Sequence, residues 1–173
     1  MQSLNIHAST WFNTREPLDL NSLQGKVIVL HAFQMLCPGC VAHSIPQLLR
    51  IYRYYHPDDV QIIGLHSVFE HHHVMTIEAL KVFIHEYRLP FPIAVDQPSE
   101  DGVIPQTMKQ YALQGTPSLL LFDRTRKLRL RHFGAIDDLQ LGDWLGKLSY
   151  EKSDSQDTPS PVHDDGSAEK CRI

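Results

Sequence analysis

Cys37 and Cys40 stand with two residues between them in "VIVLHAFQMLCPGCVAHSIPQLL", Val27 to Leu49, and are two of the chain's three cysteines. Cysteines so spaced can act as a redox couple, supply half of a zinc site, or fill core as inert thiols. His43 and the run His71 to His73 could add zinc ligands, but a second closely spaced ligand pair is missing. The flanking sequence therefore has to decide which chemistry the pair serves.

Val27 to Phe33 is a near-continuous apolar run that reads as a buried strand, and Val41, Ile45, Leu48, Leu49 and Tyr52 then repeat at helical spacing. The pair thus falls where a core strand ends and a helix begins. There the unpaired N–H groups and the positive end of the helix dipole stabilise an anion, favouring thiolate over thiol at Cys37. Cys40 sits one turn deeper, placed to attack a mixed disulfide on Cys37 and release the product. Pro38 suits the first helical position, and Gly39 adds no side chain to obstruct an approaching disulfide. This placement disfavours inert thiols.

A length of 173 residues and 42% hydrophobic content suit one globular domain with a sizeable core. No apolar window spans a bilayer and no secretory signal opens the sequence, so the expected location is cytoplasmic, with no membrane partner. In that reducing setting a close cysteine pair is catalytic or metal-binding more often than structural. The formal charge of −4 is concentrated after residue 149, where six acids face three bases in a stretch rich in Ser, Pro and Asp. We expect a domain over 1–149 and a disordered acidic tail over 150–173, which holds Cys171. "RTRKLRLRH", Arg124 to His132, gathers five Lys and Arg residues. With no glycine-aromatic signature beside it, the run reads as charges guarding an edge hairpin, not as a nucleic-acid site.

Strand and helix signals alternate along the remaining chain. Val60 to Leu65 and Phe91 to Val95 read as strands, with a helical stripe of Ile77, Leu80, Ile84 and Tyr87 between them that opens near Thr76. Ile104 to Leu113 reads as a short helix. Ser118 to Phe122 and Leu128 to Phe133 form a hairpin about "DRTRK". Asp137 or Asp138 can cap a final helix carrying Leu141, Trp144, Leu145 and Leu148 on one face. The order implies an α/β sandwich on a mixed central sheet. Pro117, in "GTPS" ahead of the Ser118 strand, cannot donate in a ladder, which suggests an entry position or a cis bond.

Taken in order, "GKVIVLHAF", "CPGC", "FPIAVD" and "GTPSLLLFD" resemble the thioredoxin superfamily, in its branch of TlpA- and ResA-like thiol-disulfide oxidoreductases related to the AhpC/TSA redoxins. The resemblance covers roughly Trp11 to Leu148. It implies a thioredoxin-like sandwich, a central mixed β-sheet flanked by helices, with "WFNTREPLDLNSLQGK" as an N-terminal hairpin extension. It implies a nucleophilic Cys37, a resolving Cys40, and a cis Pro117 beside the sulfurs, with the main chain of Thr116 pairing with substrate. It implies no cofactor beyond the Cys37–Cys40 disulfide and no metal.

The sequence departs from that pattern at four places. Leu36 stands where the branch has an aromatic residue. His31 replaces a buried Asp that helps deprotonate the second cysteine, and can serve as a proton acceptor or as a buried neutral ring. Pro46 follows Cys40 by six residues in place of five, which displaces the helix kink by one position. Peroxide-reducing relatives carry Thr three residues ahead of the attacking cysteine, where this chain has Gln34. The expectation is a disulfide reductase acting on protein or small-molecule disulfides, monomeric, with an unidentified electron donor. The alternatives are a thiol-dependent peroxidase and a non-catalytic peptide-binding module.

Overall fold

The apolar run is strand β2, Val27–Phe33, and all seven of its residues are buried. A strand reads this way only when covered on both faces. The computed structural model describes residues 3–151 together with His163–Asp164. Beside β2 lie β3 (Val60–His66), parallel, and β5 (Ser118–Phe122), antiparallel. Beyond β3 come β4 (Ile93–Asp96), parallel to it, and then β1 (Ala8–Phe12), antiparallel to β4. Beyond β5 come β6 (Leu128–Phe133) and the two-residue β7 (His163–Asp164), giving the order β1-β4-β3-β2-β5-β6-β7. This is the thioredoxin-like α/β architecture.

Chain direction fixes which face each helix takes. The steps from β2 to β3 through α1 (Ile45–Tyr54) and from β3 to β4 through α2 (Ile77–Glu86) move the same way across the sheet. Right-handed crossovers therefore put both helices on one face, while α3 (Gln106–Gln110), on the connection from β4 to the antiparallel β5, packs on the other. The side chains follow. Val27, Val29 and Phe33 pack with Ile45 and Leu48 of α1, Leu80 and Ile84 of α2, and Leu141 and Leu145 of α4 (Asp138–Tyr150). Ile28, Leu30 and Ala32 pack with Met108, Tyr111 and Leu23.

The N-terminal segment is a correction. It makes no hairpin: β1 pairs with β4, because β3 and β5 already occupy both edges of β2 and the outer edge of β4 is open. Strand β4 begins at Ile93, later than expected, with Phe91 buried ahead of the ladder. Helix α3 is only five residues long. Helix α4 runs one residue past the expected domain boundary, and Asp137 is its cap, accepting from the N–H groups of Leu139 and Gln140. Asp138 instead ties α4 to α1 through Gln47 and Arg50. The segment expected to be disordered, Cys171 included, lies outside the described residues beyond Glu151, apart from β7.

The basic run does more than guard an edge. Arg124 donates to the carbonyls of Gly25 and Ser149, and Arg126 to the carbonyl of Leu20 and the side chains of Asn21 and Gln24. Arg129 pairs with Asp123 and Glu151, and Arg131 donates to the carbonyl of Tyr111. Four guanidinium groups thus staple the β5–β6 hairpin to its surroundings.

Candidate active site

Where β2 ends, the chain makes one turn, with the Cys37 N–H donating to the Gln34 carbonyl at 3.2 Å, and becomes helical from Pro38. The Cys37 carbonyl accepts the first helical bond, from the Val41 N–H at 3.1 Å, which makes Cys37 the N-cap. Its sulfur accepts from the Cys40 N–H at 3.2 Å, the bond that an N-cap side chain makes to the third helical residue. A negative charge on this sulfur would therefore meet a backbone donor and the positive end of the helix.

Cys37 and Cys40 are joined as a disulfide, with their Cα atoms 5.2 Å apart. Sulfurs bonded to each other are not zinc ligands, so the zinc reading has no place in this state. Cys37 is half-buried, whereas Cys40 is fully buried in the core shared with α1 and α4. Only the first of the two sulfurs belongs to a residue reachable from solvent.

The helix opens with a π-helical turn, Cys40–Ser44, before α1 proper begins. A π-turn absorbs one extra residue without changing the phase of the helix on either side. It accounts for the six-residue step from Cys40 to Pro46, and the proline nitrogen, lacking a hydrogen, falls where the regular ladder resumes.

Pro117 follows a cis peptide bond from Thr116 and is buried against the cysteine turn. The site's glycine faces it: a Cβ on Gly39 would lie 3.3 Å from Cδ of Pro117. The expected reason for this glycine, clearance for the substrate, thus gains a second one, clearance for the proline. The Pro117 carbonyl is taken by the Gly134 N–H at 2.8 Å, and the Ser118 hydroxyl donates to the Gly115 carbonyl at 2.7 Å. Among the described residues the main-chain N–H and C=O of Thr116 take no partner. A half-buried strand end with free main-chain groups is what an extended peptide can pair with.

His31 lies on the face of β2 that carries Val29 and Phe33, the face on which Cys40 packs. It is buried, and neither ring nitrogen has a hydrogen-bond partner among the described residues. Burial lowers its pKa to about 4, so the ring is neutral with an unused lone pair. His66, at the end of β3 on the same face, is also buried and lowered to about 4 by burial, with Nε2 unpartnered. The Phe33 ring joins the two, 6.4 Å from the His31 ring and 5.3 Å from the His66 ring.

His66 was not singled out from the sequence, although a polar residue closing the apolar run of β3 was its signal; Gln34 entered there only as the residue in place of a peroxidase threonine, without its contacts. Gln34 is buried, and its amide links three segments. Its Oε1 accepts from the Phe69 N–H at 3.4 Å, while Nε2 donates to Glu70 at 3.3 Å and to the Thr116 hydroxyl at 3.4 Å. Leu36, in the place of an aromatic residue, is 58% exposed beside Cys37. His43, in the π-turn, and His71 to His73, on the loop after β3, are all exposed.

A disulfide at a helix start, seated on a cis-proline loop over a helix-covered mixed sheet, defines the class of thioredoxin-like thiol–disulfide oxidoreductases. The chain belongs to the Redoxin family, whose profile matches residues 9–140. It is similar to a crystallised thiol-disulfide isomerase from Corynebacterium glutamicum, with 52% identity, a TM-score of 0.84, and coverage of 87% of this chain and 97% of that one. A thioredoxin-like superfamily protein of known structure shares 49% identity at a TM-score of 0.85, over 88% of this chain and 98% of the other. The thiol-disulfide oxidoreductase ResA of Bacillus thuringiensis is 26% identical over 132 residues, 76% of this chain and 69% of ResA. NHL repeat-containing protein 2 of Gallus gallus is 34% identical over 88 residues, 50% of this chain but only 12% of that longer protein.

Proposed function

We propose that the protein is a disulfide reductase in which Cys37 is the nucleophile and Cys40 the resolving thiol. In the reduced state the Cys37 thiolate attacks one sulfur of a substrate disulfide, forming a mixed disulfide and expelling the other sulfur as a thiolate. Cys40 then loses its proton and attacks the Cys37 sulfur, and the second substrate sulfur leaves. Two electrons pass from the protein dithiol to the substrate, which ends as two thiols, and the protein ends as the Cys37–Cys40 disulfide. An external dithiol restores the reduced pair, and no other cofactor enters.

The single observation that carries this reading is the unequal burial of a bonded pair at a helix N-terminus: Cys37 reachable, Cys40 enclosed. His31 is assigned as the proton acceptor for Cys40 on the position of its buried, unpartnered ring on the same side of the sheet; burial, which lowers its pKa to about 4, makes it a weak base for that step. Thr116 pairs through its main chain with an extended substrate, Pro117 and Gly39 set the floor beneath the sulfurs, and Pro38 fixes the first helical residue. The working form is a monomer in the cytoplasm, where cellular thiols keep the pair reduced.

The experiment is turnover of a model disulfide with dithiothreitol as donor. Wild-type protein accelerates it, Cys37→Ser does not, and Cys40→Ser accumulates a mixed disulfide detectable by mass spectrometry. Wild-type rates from Cys37→Ser would end this reading. Hydrogen peroxide consumption by the reduced protein is expected to be slow.

A further inference from the structure

The buried Gln34 amide touches both the substrate-pairing residue and an exposed charge. Its Nε2 holds the Thr116 hydroxyl and the Glu70 carboxylate together, and its Oε1 fixes the backbone at Phe69. Gln34 is only 2% exposed, so this amide is anchored by packing as well as by its bonds. Glu70 is itself exposed, and among the described residues no Lys, Arg or His pairs with it. A carboxylate is thereby held through one shared donor beside the main chain that an extended substrate would join, with its remaining lone pairs turned to solvent.

We infer that Gln34, Glu70 and Thr116 form a docking edge that selects disulfide substrates carrying a cationic side chain beside the reacting cysteine. Glu70 determines the specificity and Gln34 is the positioning residue. The inference rests on the reductase reading above. Main-chain pairing at Thr116 is indifferent to sequence, since every peptide offers the same N–H and C=O groups. Discrimination has to come from a neighbouring side chain, and a fixed charge favours the opposite sign while repelling its own. A long Lys or Arg on the substrate can span from the paired strand to Glu70, whereas a substrate carboxylate there meets repulsion.

The test compares two disulfide-bonded peptides that differ only in a Lys or a Glu next to the reactive cysteine, assayed at pH 8 and low salt. The readout is the ratio of their kcat/KM values. Wild-type protein should prefer the Lys peptide by about three- to fivefold, the upper part of the range for an exposed charge pair, and the preference should fade in high salt. Glu70→Gln should bring the ratio close to one and Glu70→Lys should invert it. Gln34→Ala should also bring it toward one, raising KM more than it lowers kcat.

A ratio unchanged by Glu70→Lys overturns the inference, and so does a wild-type preference for the Glu peptide. The Glu70 variants, changed at an exposed position, keep the test decisive even if Gln34→Ala loses stability. Wild-type turnover of a small uncharged disulfide separates the two levels. If that turnover is present while the peptide ratio is one, only the docking edge fails; if it is absent, the reductase reading fails with it.

Discussion

The Cβ that Gly39 lacks would stand 3.3 Å from Cδ of Pro117, tighter than ordinary packing against a ring that cannot bend aside. Two effects oppose each other in Gly39→Ala. The residue has φ −62 and ψ −35, helical values at which alanine gains about 1 kcal/mol over glycine. The contact costs a similar amount, so global stability should stay within about 1 kcal/mol of wild type in a denaturant titration. Function should not be spared, because the displaced ring and turn shift the sulfur relative to the substrate strand. We expect kcat/KM for a protein disulfide to fall about tenfold, and Gly39→Val to be worse on both counts.

His31 makes a kinetic prediction. If it takes the Cys40 proton, His31→Leu should slow the resolving step, by less than the ~100-fold of a base matched to neutral pH because burial holds its pKa at about 4, while leaving formation of the mixed disulfide near its wild-type rate. Raising the pH should restore much of the loss, as solvent base deprotonates the thiol directly. Rapid-quench measurement of the mixed disulfide separates the two steps. A purely packing role predicts no such recovery.

His31 and His66 also make stability depend on pH. Both are held at about 4 in the folded protein against about 6.5 for a free imidazole. Their contribution is fully present above pH 6.5. As the pH falls toward 4 the unfolded chain takes up protons that the native rings refuse, and stability drops by about 1.4 kcal/mol per pH unit for each ring. Chemical denaturation between pH 7.5 and 4.5 should show that slope, and His31→Leu should reduce it by one ring's share.

The π-turn predicts tolerance of a deletion. Removing Ala42 shortens the step from Cys40 to Pro46 to five residues and lets Cys40–Ser44 revert to regular helix, with α1 still in phase. Circular dichroism should show a folded protein whose Tm falls by only a few degrees. Deleting Arg50 inside α1 should instead unfold it, because every core residue beyond that point would rotate by about 100°.

Much of this was legible from residue order. The Val27–Phe33 run, the helical stripe after Cys40 and the proline ahead of Ser118 each carry a local signal strong enough to place the sulfurs. The extra residue before Pro46 led to the expectation of a kink displaced by one position, whereas the structure takes it up in a π-turn over Cys40–Ser44. The rest was hidden because it is set by distant partners. Ala8–Phe12 has no apolar run, and its place beside β4 follows from which sheet edge remains open. The partners of Gln34 lie 35, 36 and 82 residues away, and Gly39 meets a ring that sequence spacing alone cannot bring to it.

The enclosure of Cys40 has a practical consequence. A bulky thiol reagent added to reduced, native protein has one target in the pair, and reaches the other only in molecules that have transiently opened the α1 layer. The time course of the second label would thus report how often the core around the site breathes, giving experimenters a ready-made gauge of local opening at its centre.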